Sequence, residues 1–145
     1  MQNYGFAKTI INKNNKLGLS SSIISGIKHL QKEKTPFDGL LILLADQPAI
    51  KAAYFHEMIE LFLKEQKKII ASNYENGLGV PAIFPALFVK DLLKIKGDKG
   101  AKEFLQKNKN KTKELPFVGI CTPTLKRRPF GKNKINGFKS SFFRN

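Results

Sequence analysis

Asp46 is the residue of this sequence best placed to do chemistry, because it directly follows the unbroken apolar run Leu40 to Ala45. Gln47 and Pro48 come next, so the run stops abruptly. An apolar run without alternation is typical of a strand buried on both faces, and ligands bind at the carboxyl ends of such strands. A carboxylate there can hold Mg²⁺, which takes oxygen ligands and shares them with substrate phosphates. The same acid can instead cap the following helix, and spacing alone favours the cap.

Three further motifs combine small residues with polar ones: "GLSSS" from Gly18 to Ser22, "GVP" from Gly79 to Pro81 and "GDKG" from Gly97 to Gly100. Each has a purely structural interpretation. The serine run can cap a helix, "GVP" can be the entry to a strand, and "GDKG" can be a turn in which glycine supplies a positive φ. The residues by themselves leave these alternatives open.

Helical and strand patterns alternate along the chain and indicate the elements that position these motifs. Helices are predicted in "LGLSSSIISGIKHLQKEKT", "KAAYFHEMIELFLKEQKK", "ALFVKDLLKIK" and "AKEFLQKNK", and strands in residues 39–45, "KIIAS" and "VPAIFP". "NYENGLG" is predicted to be a loop. In the first helix, Ile23, Ile27 and Leu30 form one apolar stripe at helical spacing. This alternation predicts an α/β fold of three layers, with a mainly parallel sheet and helices on both faces.

Length and composition limit the class of protein. The 145 residues, 41% of them hydrophobic, suffice for one domain. No apolar run approaches the length of a membrane span, and the first residues do not resemble a signal peptide. A single cysteine, Cys121, excludes an internal disulfide framework and fits a reducing compartment. We therefore expect a cytoplasmic protein without a membrane partner.

The formal net charge of +15 is concentrated toward the end of the chain. Residues 107–145 contain eleven Lys or Arg against one acid, whereas residues 1–106 contain fifteen Lys against ten acids. Residues 126–145 combine this charge with scattered Phe and show no periodicity, which predicts a basic, disordered tail. Such a tail attracts nucleic acid without specificity, so a nucleic-acid-binding protein is the alternative hypothesis.

Four motifs occur in the order seen in one enzyme family: "GLSSSIISGI", "LLADQP", "LGVPAIFP" and "GDKGAKEFL". Between Gly18 and Phe104 the chain resembles the MobA-like NTP transferases, and most closely their molybdenum cofactor cytidylyltransferase branch. The resemblance implies a Rossmann-like nucleotidyltransferase fold. It also implies Mg²⁺-dependent transfer of a nucleotidyl group from an NTP, CTP or GTP, to a phosphorylated acceptor such as molybdopterin.

The resemblance also implies a role for each motif. Asp46 is expected to bind the Mg²⁺ and to position the triphosphate. The nucleotide side is expected to be lined by Gly18, Ser20, Ser21 and Ser22. The pocket for the acceptor phosphate is expected to be shaped by Gly79, Pro81, Gly97, Asp98 and Gly100.

Two departures from the family pattern qualify this expectation. The family has an amino-terminal strand followed by a Gly-rich loop that holds the triphosphate, and this sequence has no such loop. After Pro123 the sequence becomes basic and aperiodic. We therefore expect a partial, N-terminally truncated transferase domain over residues 1–125, with impaired activity or as an inactive remnant. The sequence predicts no particular oligomeric state.

Overall fold

The computed structural model describes residues 8–34, 36–44, 47, 50–117 and the backbone of 138–143. Its helices are α1 (Leu19–Lys32), α2 (Ala52–Lys64), α3 (Val89–Leu92) and α4 (Gly100–Lys107), and its 3₁₀ turns are Asn15–Leu17, Ala86–Phe88 and Lys109–Lys111. Its strands are β1 (Gly39–Leu44), β2 (Ile69–Tyr74), β3 (Gly77–Pro85), β4 (Thr112–Pro116) and β5 (Phe138–Phe143).

The strands form one sheet in the order β4-β2-β3-β1-β5. β2 pairs parallel with β4, and β1 pairs parallel with β5. β3 is antiparallel to both of its neighbours. Its pairing with β2 has to be antiparallel, because only the two residues Glu75 and Asn76 separate the strands. Four strands therefore run in one direction, which confirms the α/β fold with a mainly parallel sheet. The prediction of a loop in "NYENGLG" is wrong, because these residues form the β2–β3 hairpin.

Helices cover both faces of the sheet, as the unbroken apolar run of β1 predicts. Leu40 and Ile42 belong to a core cluster with α1, α3 and α4. Leu41 and Leu43 point to the opposite face, where they pack with α2. Because successive side chains of a strand alternate between faces, every one of these four must be apolar. The three-layer arrangement is thus confirmed.

The two helices before β3 match their predicted patterns, and the helix after it does not. The α1 stripe of Ile23, Ile27 and Leu30 is buried. The helix predicted over "ALFVKDLLKIK" is instead a 3₁₀ turn followed by the four-residue α3. Lys94 and Ile95 donate their backbone N–H groups to carbonyls three residues earlier. These tight bonds end the helix before the turn at Gly97, which has a φ of 73°.

Two strands were not predicted. β4 has the sequence "TKELP", in which Leu115 alone is buried, so it carries no apolar run that would reveal an edge strand. β5 lies inside the segment predicted to be a disordered tail, and its backbone pairs with the whole of β1. The other residues of that segment, 126–137 and 144–145, lie outside the described ranges. Within those ranges, no helix has the length and apolar character needed to cross a membrane.

Candidate active site

The predicted site motifs converge on the carboxyl edge of the sheet. β1 and β2 end there, and because β3 runs the other way, its early residues 77–81 lie at the same edge. α1 has fourteen residues, about 21 Å, and connects through residues 33–38 to the amino end of β1. The first turn of α1 therefore lies at the carboxyl edge of the sheet. Asp46 follows β1 directly but lies outside the described residues.

Gln47 links the segment after β1 to the "GVP" motif of β3. Its Nε2 donates to the carbonyl oxygen of Val80 at 3.3 Å and to the hydroxyl of Tyr74 at 3.2 Å. The Tyr74 hydroxyl itself donates to the same Val80 oxygen at 2.6 Å. The structure thus joins the residue next to Asp46 to the stretch between Gly79 and Pro81. Sequence reasoning did not single out Gln47, although it lies within the "DQP" motif.

A bulge in the β2–β3 ladder explains why side chains hold this stretch. The register shifts between Ala71 and Ser72, so Val80 and Pro81 have no partner in the ladder. Buried backbone carbonyls must be paired, and here side chains do so. Ser72 Oγ donates to the Pro81 oxygen at 2.8 Å, and the Tyr74 hydroxyl donates to the Val80 oxygen. The peptide between Val80 and Pro81 is cis.

Aromatic residues pack together beside the bulge. The Tyr54 hydroxyl donates to Ser72 Oγ at 2.8 Å. The ring of Phe117 lies 5.3 Å from that of Tyr54 and 4.6 Å from that of Tyr74, between centroids. Burial raises the pKa of Tyr54 to about 12 and raises the pKa of Tyr74 above its usual value, despite opposing side-chain hydrogen bonds. Both phenols are therefore protonated at neutral pH and act as hydrogen-bond donors.

The serine run does not cap α1 as one interpretation predicted. The N-cap residue is Gly18, so Ser20 and Ser21 lie within the first turn and are buried, with 3% and 8% exposure. Ser21 Oγ donates to the Gly18 oxygen at 2.7 Å. Instead, oxygen atoms of the "GDKG" turn accept hydrogen bonds from the first free N–H groups of α1. Asp98 Oδ1 accepts from the N–H of Leu19, and the Gly97 oxygen accepts from that of Ser20, both at 3.3 Å.

Asn12 fixes the outer side of the serine run and was not predicted. Its Nδ2 donates to Ser21 Oγ at 2.7 Å and to Ser22 Oγ at 3.0 Å. Its Oδ1 accepts from the N–H of Asn14 at 2.9 Å and from Ser25 Oγ at 3.4 Å. All four hydrogen-bonding positions of this amide are used. The structure thus brings the serine run together with the "GDKG" turn, and Asn12 ties the segment before α1 to the serines.

A groove of about 390 Å³ lies between α3 and α4. It is lined by Asp91, Lys94, Ile95, Lys96, Gly100, Glu103, Phe104 and Lys107. Gly100 is the one predicted site residue in this lining. Lys94 also forms a 2.9 Å ion pair with Asp91, so the charges of the groove are mixed and do not select an anion. Among the described residues, no group of three or more His, Cys, Asp or Glu is placed to hold a metal ion.

Comparison with known proteins identifies the family. The sequence profile of the MobA-like NTP transferase domain matches residues 2–112, more than half of the chain. The chain belongs to this family. Membership as a MobA-like NTP transferase domain accounts for the order of the four motifs along the chain. A search of curated protein sequences gives no match.

Two solved structures are similar to this chain over part of its length. A crystal structure of Rv0371c from Mycobacterium tuberculosis H37Rv is similar at 25% identity with a TM-score of 0.50, covering 57% of this chain and 43% of that one. A structure of Rv0371C from the same organism in complex with manganese has 25% identity and a TM-score of 0.49, covering 57% and 44%. This chain therefore spans less than half the length of both solved chains.

Proposed function

We propose that this protein binds a nucleoside triphosphate together with Mg²⁺ and transfers its nucleotidyl group to a phosphorylated small molecule. One observation carries the proposal: the side chain of Gln47 ties the segment that contains Asp46 to the "GVP" bulge of β3. Gln47 and the bulge lie at the carboxyl edge of the sheet, where ligands of α/β sheets bind, and this supports placing the metal and the acceptor phosphate there. Membership in the transferase family supplies the class of reaction.

In the proposed reaction an oxygen of the acceptor phosphate attacks the α-phosphorus of the NTP. The new P–O bond forms as the bond to the β-phosphate bridging oxygen breaks, and pyrophosphate leaves. CTP and GTP are the proposed donors, and molybdopterin is the proposed example of an acceptor. The single cysteine of the chain leads us to place this reaction in the cytoplasm.

The chemistry of the available oxygen ligands fits Mg²⁺. This ion is commonly held by one or two carboxylates, with substrate phosphates and water completing its octahedron. Asp46 offers one such carboxylate, shortly after the end of β1. Bound there, the metal supplies positive charge that offsets the negative charge developing on the phosphates.

The described residues suggest how the remaining predicted positions contribute. Ser20 and Ser21 are buried, so we assign them to shaping the first turn of α1, and we assign contact with the nucleotide to the half-buried Ser22. Gly79 and Pro81 border the acceptor at the bulge. Asp98 and Gly97 orient α1 by pairing its first N–H groups. Gly100 allows the close approach of α4 to α1, because a Cβ atom there would lie 3.0 Å from that of Ser20.

Replacing Asp46 with asparagine is expected to weaken Mg²⁺-dependent binding of CTP or GTP by at least about 10–100-fold, the loss typical of residues that only orient a metal ligand. The neutral amide retains the size of the carboxylate but lacks its charge. Equilibrium dialysis with radiolabelled nucleotide, with and without Mg²⁺, measures the effect on the full chain.

Asp38→Asn is the matched control. Asp38 is exposed and lies just before β1, at the opposite end of the same strand, so the same change of charge there should leave affinity unchanged. Equal affinities of the Asp46 and Asp38 variants, or binding that does not depend on Mg²⁺, would contradict the proposal.

A further inference from the structure

The side-chain amide of Gln47 has hydrogen-bond partners for its nitrogen but not for its oxygen among the described residues. Its Nε2 makes two hydrogen bonds, to Val80 and Tyr74. Its Oε1 is buried, yet it has no hydrogen-bond partner among the described residues. A buried acceptor without a donor costs free energy, so its retention calls for an explanation.

Rotating the amide does not remove the problem. Exchanging Oε1 and Nε2 would set the amide oxygen against the carbonyl oxygen of Val80, and two acceptors repel each other. It would also break the bond in which Nε2 donates to the Tyr74 hydroxyl, whose own proton is directed to Val80. The observed orientation is therefore the one that the partners require. It leaves Oε1 as the one buried atom of this amide that has no partner among the described residues.

We propose that Gln47 is a ligand-binding residue whose Oε1 accepts a hydrogen bond from the bound Mg²⁺–NTP complex. This inference rests on the proposed nucleotidyltransferase function. The phosphates of the ligand carry only acceptors at neutral pH, so the donor is a metal-bound water, a ribose hydroxyl or a base amino group. The Nε2 bonds hold the side chain in place in advance, which lowers the entropic cost of binding.

Gln47→Met tests the proposal with little change in volume. We expect binding of Mg²⁺–CTP or Mg²⁺–GTP to weaken about tenfold, the effect of losing one hydrogen bond to a ligand that carries charge. The urea midpoint of the free protein should change little, because the variant removes the unpaired acceptor together with the two Nε2 bonds. Gln66→Met is the control, since Gln66 is exposed in the turn between α2 and β2.

Two further measurements distinguish a ligand-binding role of Oε1 from a role of the Nε2 anchor, and identify the group that donates to Oε1. Tyr74→Phe disturbs the Nε2 anchor but leaves Oε1, so it should weaken nucleotide binding less than Gln47→Met. Mg²⁺–tripolyphosphate has metal-bound water but neither ribose nor base. A tenfold loss with this probe as well assigns the donor to the water, and a loss confined to the nucleotides assigns it to the nucleoside.

The outcomes distinguish failure of this inference from failure of the proposed function. If the wild-type chain binds nucleotide and Gln47→Met binds equally well, Oε1 has no ligand and the inference is overturned alone. It is also overturned alone if Tyr74→Phe reproduces the full loss, because the anchor then explains the effect. If the wild-type chain binds neither nucleotide, both proposals are overturned.

Discussion

Ser72→Val is expected to lower the free energy of unfolding by about 2–4 kcal/mol, because it leaves the buried Pro81 carbonyl without a hydrogen bond and leaves the Tyr54 hydroxyl only its longer bond to the Leu115 oxygen at 3.3 Å. Ser72 is fully buried at the bulge of β2. Its hydroxyl accepts from Tyr54 and donates to the carbonyl oxygen of Pro81, each at 2.8 Å. Valine replaces the hydroxyl with a methyl group and carries a second methyl group on Cβ. It can neither accept from Tyr54 nor donate to Pro81. Urea denaturation followed by circular dichroism measures the loss.

Ser72→Thr is the control that isolates the hydroxyl. Threonine and valine have the same shape, so both introduce the same extra bulk at position 72, and only threonine keeps the two bonds. We expect the threonine variant to be more stable than the valine variant by most of the predicted difference. Equal urea midpoints would show that bulk, and not the hydrogen-bond network, determines stability at the bulge.

Gly18→Ala is expected to cost a similar amount, about 2–4 kcal/mol, for two reasons that add. Gly18 has a φ of 85°, a conformation that costs a residue with a side chain on the order of 1–3 kcal/mol. A Cβ atom there would also lie 2.2 Å from Asp98 Oδ1 and 2.9 Å from its backbone nitrogen. Asp98 must then move, and the N–H group of Leu19 loses its acceptor.

Gly97→Ala separates these two contributions. Gly97 has a comparable φ of 73°, but a Cβ atom there meets nothing within 4 Å. Gly97→Ala should therefore lower the free energy of unfolding only by the cost of a positive φ, on the order of 1 kcal/mol. Thermal unfolding of both variants gives the comparison. If the two lose the same stability, the contact of Gly18 with Asp98 contributes nothing.

Local patterns predicted the elements whose burial is expressed in their own residues. The stripe of Ile23, Ile27 and Leu30 marked the inner face of α1, and the run from Leu40 to Ala45 marked β1 as a strand covered on both sides. β4 escaped prediction because an edge strand buries little, in this case Leu115. The short α3 was overestimated, since its apolar residues continue past the point where the hydrogen bonds become three-residue turns.

The site was predictable in its motifs and not in its contacts. Gln47 bonds Val80, 33 residues away, and Asp98 pairs an N–H group 79 residues away. Such pairs become neighbours only through the order of the strands, in particular the reversal of β3. The bulge that leaves the carbonyls of Val80 and Pro81 without partners in the ladder has no sequence signal beyond the proline itself.

Paramagnetic broadening by Mn²⁺ tests the location of the metal–nucleotide site most directly. Mn²⁺ shares the preference of Mg²⁺ for oxygen ligands and broadens NMR signals of nearby nuclei. With CTP or GTP present, the proposal predicts loss of the Gln47 side-chain amide signal and the Gly79 backbone signal. The backbone signal of Gly39, about 20 Å away at the other end of β1, should persist, and Asp46→Asn should abolish the effect. Broadening centred on Gly39, or equal broadening in the Asp46 variant, would contradict it.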